Sequence, residues 1–96
     1  MIGIRFEWDE NKNRKNQIKH KVSFDEAKSV FYDDNARLIV DPDHSPEEDR
    51  LILLGLSDKL RLLVVVHIYM GKEEVVRIIS ARKATKNETN LYERKK

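Results

Sequence analysis

Residues 50–56 and 60–70 form two apolar runs separated only by Ser57-Asp58-Lys59 and the interrupting Arg61. Neither supplies the roughly 20 continuous apolar residues that a membrane span needs. Two short runs joined by a polar turn read instead as neighbouring strands of an antiparallel hairpin. Both are apolar on their two faces rather than alternating, so the sheet they build must be covered on at least part of each side. That requirement points to a layered α+β domain, with helices packed on a mainly antiparallel sheet.

The rest of the chain fits around this hairpin. Residues 2–8 alternate apolar and polar positions, which predicts a short strand with Ile2, Ile4, Phe6 and Trp8 on one side. Asp9 can cap a helix over residues 10–20, whose one large aliphatic residue is Ile18; such a helix should be mostly solvated and tethered at its ends. Ser23-Phe24-Asp25-Glu26 has the spacing of a capping box, and Phe24, Ala27, Val30 and Phe31 then fall on one helical stripe. Asp33-Asp34-Asn35 ends that helix, residues 37–40 form a strand, and Asp41-Pro42-Asp43 opens a loop through His44-Ser45-Pro46. A last strand over 74–81 and a last helix over 85–92 complete the order β-α-α-β-β-β-β-α in one domain, residues 1–96.

Loop parity decides which residues of the last two strands face together. A three-residue turn at Gly71-Lys72-Glu73 sets His67 opposite Arg77, Tyr69 opposite Val75 and Val66 opposite Ile78. An even turn would instead place Arg77 among Val64, Val66 and Ile68, where an unpaired charge costs several kcal/mol. The odd turn is therefore expected, with His67, Tyr69 and Arg77 as neighbours on the outer face.

Net charge is only +2, but it is unevenly spread. Lys12, Arg14, Lys15, Lys19 and Lys21 occur without an intervening acid, and Arg82, Lys83, Lys86, Arg94, Lys95 and Lys96 follow near the other end; Asp41, Asp43, Glu47, Glu48 and Asp49 lie between. Basic ends and an acidic middle can present a phosphate-binding face at low net charge. The chain has no cysteine, which removes disulfides and thiolate metal sites and fits a reducing cytoplasm. Its opening residues lack a secretion signal, so neither export nor membrane association is expected. Ninety-six residues leave little room for a large cofactor.

Residues 76–92 gather the groups best suited to chemistry. Arg77 lies within a strand, Arg82 follows it with the opposite parity, and Glu88 and Tyr92 are four apart on the next helix. Two guanidiniums can hold a phosphate, while a carboxylate and a phenol can move protons. Cutting RNA without a metal needs a base for the 2′-OH, cations for the charge growing on phosphate, and an acid for the leaving oxygen. His67, Arg77, Arg82, Glu88 and Tyr92 are suitable types, and His20 joins them at a helix end, where a cap role is the plainer reading. The plainer readings of the others are surface ion pairs for the arginines and a core imidazole for His67. A metal site from His20, His44 and His67 lacks ligand spacing, and no glycine-rich phosphate loop or nucleophile triad is present.

Four ordered blocks resemble a known family: Phe6-Glu7-Trp8-Asp9-Glu10-Asn11-Lys12-Asn13, Lys19-His20-Lys21-Val22-Ser23-Phe24, Glu48-Asp49-Arg50, and Ile78-Ile79-Ser80-Ala81-Arg82-Lys83-Ala84 with Glu88 and Tyr92. Together they resemble the BrnT toxins of bacterial type II toxin-antitoxin systems. The resemblance implies a RelE-like fold, RNA cleavage that arrests translation, and a BrnA-like ribbon-helix-helix antitoxin through which alone operator DNA is bound. No cofactor is implied, and the RNA could be free or on the ribosome. Lys21 departs from the family's usual glycine after the histidine; if that position is left-handed, lysine costs on the order of 1 kcal/mol.

Three readings follow. In a nuclease, Arg77 and Arg82 hold the scissile phosphate, His67 or Glu88 is the base, Tyr92 or His20 assists, and Lys12, Arg14, Lys15, Lys19, Lys83 and Lys86 contact phosphates along the RNA. In a binding module the same face grips RNA or the ribosome without cutting. In an interaction domain the chain only holds the antitoxin and co-represses DNA.

Overall fold

The computed structural model describes residues 4–40, 50–70 and 75–94. The elements are β1 (Arg5–Glu7), α1 (Glu10–His20), α2 (Phe24–Ser29) running into a 3-10 turn (Val30–Tyr32), β2 (Arg37–Val40), β3 (Arg50–Leu56), β4 (Leu62–Met70), β5 (Val75–Lys83) and α3 (Lys86–Glu93). The five strands form one sheet in the order β1-β5-β4-β3-β2, with β1 parallel to β5 and the other neighbours antiparallel. This is the expected α+β architecture. The expectations for Ile2, for the loop and acidic run at 41–49, for the turn at 71–73 and for Lys95 and Lys96 fall outside the described residues.

The main core lies between the sheet and α2. Phe24, Ala27, Val30 and Phe31 are buried as one stripe against Leu53, Leu63, Val65, Val76, Ile78 and Ala81, and Ile4, Phe6 and Trp8 pack on its margin. Gly55 belongs to this packing, because a Cβ there would lie 2.8 Å from Val30 Cγ1 and 3.0 Å from the Ala36 Cβ.

α1 is held differently from what its sequence suggests. Asp9 caps it, accepting from the Asn11 and Lys12 amides at 2.8 and 3.2 Å. Ile18, however, is 76% exposed, and the buried residues of α1 are Asn13 and Asn16. The Asn16 amide donates to the carbonyls of Val22 (2.8 Å) and Ala81 (2.9 Å), and its oxygen accepts from the Ala81 amide at 3.1 Å. β1 pairs with β5 only at Val75, Val76 and Arg77, so Asn16 satisfies backbone groups on an edge that β1 does not reach. Asn13 accepts from the Phe24 amide at 2.9 Å. The helix is thus pinned by carboxamides along its length, not only tethered at its ends.

The capping box at Ser23 is half formed. Ser23 Oγ accepts from the Glu26 amide at 3.0 Å, but the Glu26 carboxylate turns inward to Arg61 and to Ser57 Oγ (2.7 Å). A complete capping box forms instead at Thr85 and Glu88.

The largest correction concerns the last two strands. Residues 71–74 separate Met70 from Val75, an even number, and Met70 pairs with Val75, Ile68 with Arg77 and His67 with Ile78. The register then shifts between Val66 and His67, so that Val66 faces Ser80 and Ile79 is the extra residue of a β-bulge. Because paired residues share a face, His67 joins Val65 and Ile78 in the core, while Arg77 joins Val64, Val66 and Ile68 on the opposite face. The expected His67–Arg77 pairing does not occur. The charge is tolerated there because Glu7 of β1 stands in register with Arg77 and pairs with its Nη1 at 2.7 Å.

Candidate functional site

The bulge also reverses the parity expected for Arg82. Without an extra residue, positions 77 and 82 would point to opposite sides; with Ile79 inserted, Arg82 pairs with Val64 and shares a face with Arg77 and Ser80. The pairings give three rows across this face: Arg37, Leu54, Val64 and Arg82; then Ile39, Ile52, Val66 and Ser80; then Arg50, Ile68 and Arg77. Four arginines from three strands therefore border an apolar middle row. The two arginine rows lie four residues apart along β4, about 13 Å.

α1 supplies the wall of a groove beside β5. Lys12, Lys15, Asn16, Lys19 and His20 fall at helical spacing on one stripe. With Ile79 and Ser80 of the bulge they line a cavity of about 220 Å³. A second cavity, about 210 Å³, shares Lys12 and Ile79 with the first and adds Ile68 and Arg50. Together they form a continuous basic groove across the bulge. A larger cavity, about 350 Å³, surrounds Glu26 and Arg61 near Lys21 and Lys59. We place the site at the groove, because Glu26 is already bound by Arg61 and Ser57 as part of the scaffold.

The six proton-moving or phosphate-holding candidates separate into distinct settings. Arg77 and Arg82 share the sheet face that carries the groove, each with a carboxylate partner, but neither lines either groove cavity. Arg82 grips Glu88 with two hydrogen bonds of 2.9 Å, and the Glu88 carboxyl is lowered to about 2, chiefly by that guanidinium. Glu88 also accepts from the Thr85 amide at 2.8 Å, so its position is fixed by both a helix cap and an ion pair. Tyr92 donates to Asp33 Oδ2 at 2.7 Å, and burial and that carboxylate push its hydroxyl up to about 12. His67 is fully buried, with the Phe31 ring edge-on at 4.8 Å, Nδ1 3.2 Å from the Val65 carbonyl, and Nε2 without a hydrogen-bond partner among the described residues. Burial lowers its pKa, which favours the neutral ring. Of the two described imidazoles, His20 is the one that lines the groove.

The cationic candidates also divide. Lys12, Lys15 and Lys19 share the α1 stripe, whereas Arg14 lies off it and donates to Asn11. Lys83 and Lys86 are exposed and line neither groove cavity. Sequence reasoning missed Arg37, Ile68, Ile79 and Ser80 as members of this face and saw Arg50 only as part of a motif. The signal for Arg37 and Arg50 was present, since each opens an apolar strand; the bulge that recruits Ile79 and Ser80 has no local signature.

Chemically, the groove offers positive charge from two elements, an imidazole at one end and an apolar floor. Guanidinium and ammonium groups suit phosphate oxygens, and an imidazole is the commonest side-chain proton carrier. Among the described residues, no group of three or more histidines and carboxylates is placed to hold a metal ion, and no helix is long and apolar enough to cross a membrane.

Comparison with known proteins agrees with this chemistry. Residues 8–88 match the family model described as the ribonuclease toxin, BrnT, of type II toxin-antitoxin systems. No curated protein matches the chain. Among solved structures, the Brucella abortus ribonuclease toxin BrnT, determined at 1.1 Å, superposes with a TM-score of 0.67 at 25% sequence identity, covering 86% of this chain and 99% of that one. With the family model spanning β2 to β5, α1, α2 and the Arg82–Glu88 pair, the chain belongs to the BrnT family of ribonuclease toxins of type II toxin-antitoxin systems.

Proposed function

We propose that this single-domain toxin is a metal-independent endoribonuclease whose active groove runs between the α1 stripe and the β5 bulge. The observation that carries the reading is the convergence of Lys12, Lys15, Lys19 and His20 on Ser80 and Ile79, with Arg77 and Arg82 on the same sheet face. The lysines hold consecutive phosphates without reading sequence. Arg77 and Arg82 steady the charge that grows on the scissile phosphate, a task that side-chain cations can perform.

In the reaction the 2′-OH loses its proton and its oxygen bonds to phosphorus. The P–O5′ bond then breaks, and the departing oxygen takes up a proton. His20 is assigned to proton transfer at the groove. Glu88, held at about 2, is a weak base at neutral pH and is better suited to orienting Arg82. Tyr92 is engaged with Asp33 and acts as a latch for α3. His67 serves the core.

A ribbon-helix-helix antitoxin completes the system in the cytoplasm. It silences the toxin by presenting carboxylates to the basic groove, and operator DNA is reached through it. Cleavage of messenger RNA, free or on the ribosome, then arrests translation when the antitoxin is lost.

Expression of the wild type, of His20→Ala and of the double variant Arg77→Ala, Arg82→Ala in a bacterial host tests the reading. Growth arrest with fragmented RNA is expected for the wild type alone. His20→Ala should retain most RNA binding while losing cleavage about a hundredfold or more, the low end of the contribution of a proton-transfer group. Intact RNA in cells holding folded wild-type protein would overturn it. A second reading has one observation in its favour: both arginines already have carboxylate partners. A purely binding module would lose affinity, with no cleavage to lose.

A further inference from the structure

The smaller groove cavity differs from its neighbour in a way that bears on which RNA is cut. Its floor is Ile68 and Ile79, and its polar walls are Lys12 and Arg50. At about 210 Å³ it is below the size range of pockets that enclose a drug-sized ligand, roughly 300–1,000 Å³, and suits a single flat ring system. Two β-branched side chains make a stiff apolar surface for such a ring. Ile79 is the inserted residue of the bulge, so the feature that aligns Arg77 with Arg82 also builds this floor.

The polarity of the walls is one-sided. Among the described residues, every charged side chain lining the cavity is a donor, since neither ammonium nor guanidinium can accept a hydrogen bond. Arg50 has a further interaction of its own, but five N–H groups let it serve a base edge as well. A base entering here must therefore present acceptors. Guanine offers two adjacent acceptors, N7 and O6, which is the pattern that Arg and Lys read. Adenine sets its N6 amino group beside N7, and the pyrimidines have no N7, so none of them offers that N7–O6 pair.

Building on the RNA-cleaving reading of the same groove, we propose that the cavity formed by Lys12, Arg50, Ile68 and Ile79 is a base subsite that selects guanine beside the scissile phosphate. The phosphate itself lies in the adjoining cavity with Lys15, Lys19, His20 and Ser80. Lys12 and Ile79 belong to both cavities and set the base next to the phosphate.

Mapping RNA 5′ ends in cells that express the toxin reads the preference directly, whether or not the ribosome takes part. Guanine should occupy one fixed position flanking the cuts, favoured about tenfold or more over adenine. Arg50→Gln adds an acceptor beside the donors, and glutamine pairs with adenine N6 and N7, so the same position should shift toward adenine. Should that variant not fold, the wild type on single-stranded oligonucleotides keeps the idea testable. Guanine and inosine, which share N7 and O6, should be cut alike, and 7-deazaguanine several-fold more slowly. Cuts with no fixed base, or a wild-type preference for adenine, cytosine or uracil, would overturn the subsite and leave the ribonuclease reading standing. Absence of any cutting by folded protein would overturn both.

Discussion

At the scale of single residues, two positions carry measurable consequences. Lys21 adopts φ 61° and ψ 31°, the left-handed conformation that ends α1, and its amide bonds to the Gln17 carbonyl at 2.9 Å. Lysine pays a steric penalty there that glycine avoids, while the Lys21 carbonyl that accepts from Arg61 is unaffected by the side chain. Lys21→Gly should raise stability by about 1 kcal/mol in chemical denaturation. Glu88 is the second position. Its folded carboxyl lies near 2 against an ordinary 4.5, so the Arg82 pair stabilises the fold above about pH 4.5. That contribution is lost as pH falls through the folded value. Both partners are partly exposed, so Glu88→Gln should cost only about 1 kcal/mol at pH 7. The gap between variant and wild type should close between pH 4.5 and 2 in thermal unfolding. A gap that persists unchanged at pH 2 would show that the pair is not its source.

At the scale of elements, α1 and the β5 bulge show where sequence reading succeeds and where it stops. The caps at Asp9 and Ser23 and the stripe Phe24, Ala27, Val30 and Phe31 were legible, because each depends on neighbours within a turn or two. The attachment of α1 was not legible. Its anchors are two polar residues bonded to backbone as far as 65 positions away, and no hydrophobic periodicity announces that. Asn16→Ala should therefore cost about 2–4 kcal/mol, since it strands buried backbone groups of Val22 and Ala81. Ile18→Ala should change stability by less than about 0.5 kcal/mol, as expected for an exposed side chain. Equilibrium unfolding of the two variants reads the contrast. The parity argument for β4 and β5 excluded an unpaired charge from the sheet face, which was sound physics applied to incomplete information. Glu7 arrives from a parallel strand 70 residues earlier and supplies the missing partner.

At the scale of the whole molecule, the fold keeps its two faces for different tasks. One carries the α2 core and encloses His67; the other gathers Arg37, Arg50, Arg77 and Arg82, with α3 linked to it through Glu88. If the antitoxin silences the toxin by covering the basic groove, RNA and antitoxin must compete for it. Titration of antitoxin into a toxin–RNA complex should release the RNA, and Lys15→Glu with Lys19→Glu should weaken both partners together. RNA that binds the antitoxin-saturated toxin with unchanged affinity would refute a shared surface.

By itself, the sequence determined the elements, their order, the doubly apolar hairpin at the centre and the concentration of lysines on α1. These follow from local propensity and periodicity, which act over a few residues. Only the tertiary structure decided which face each candidate side chain occupies. One inserted residue, Ile79, turns Arg82 onto the side of Arg77, and the even spacing between β4 and β5 sends His67 into the core. Strand side chains alternate with period two, so a single bulge or a one-residue change of loop length reverses a face. The contacts that select one register over the other, Glu7 with Arg77 and Asn16 with Ala81, form only when distant segments meet.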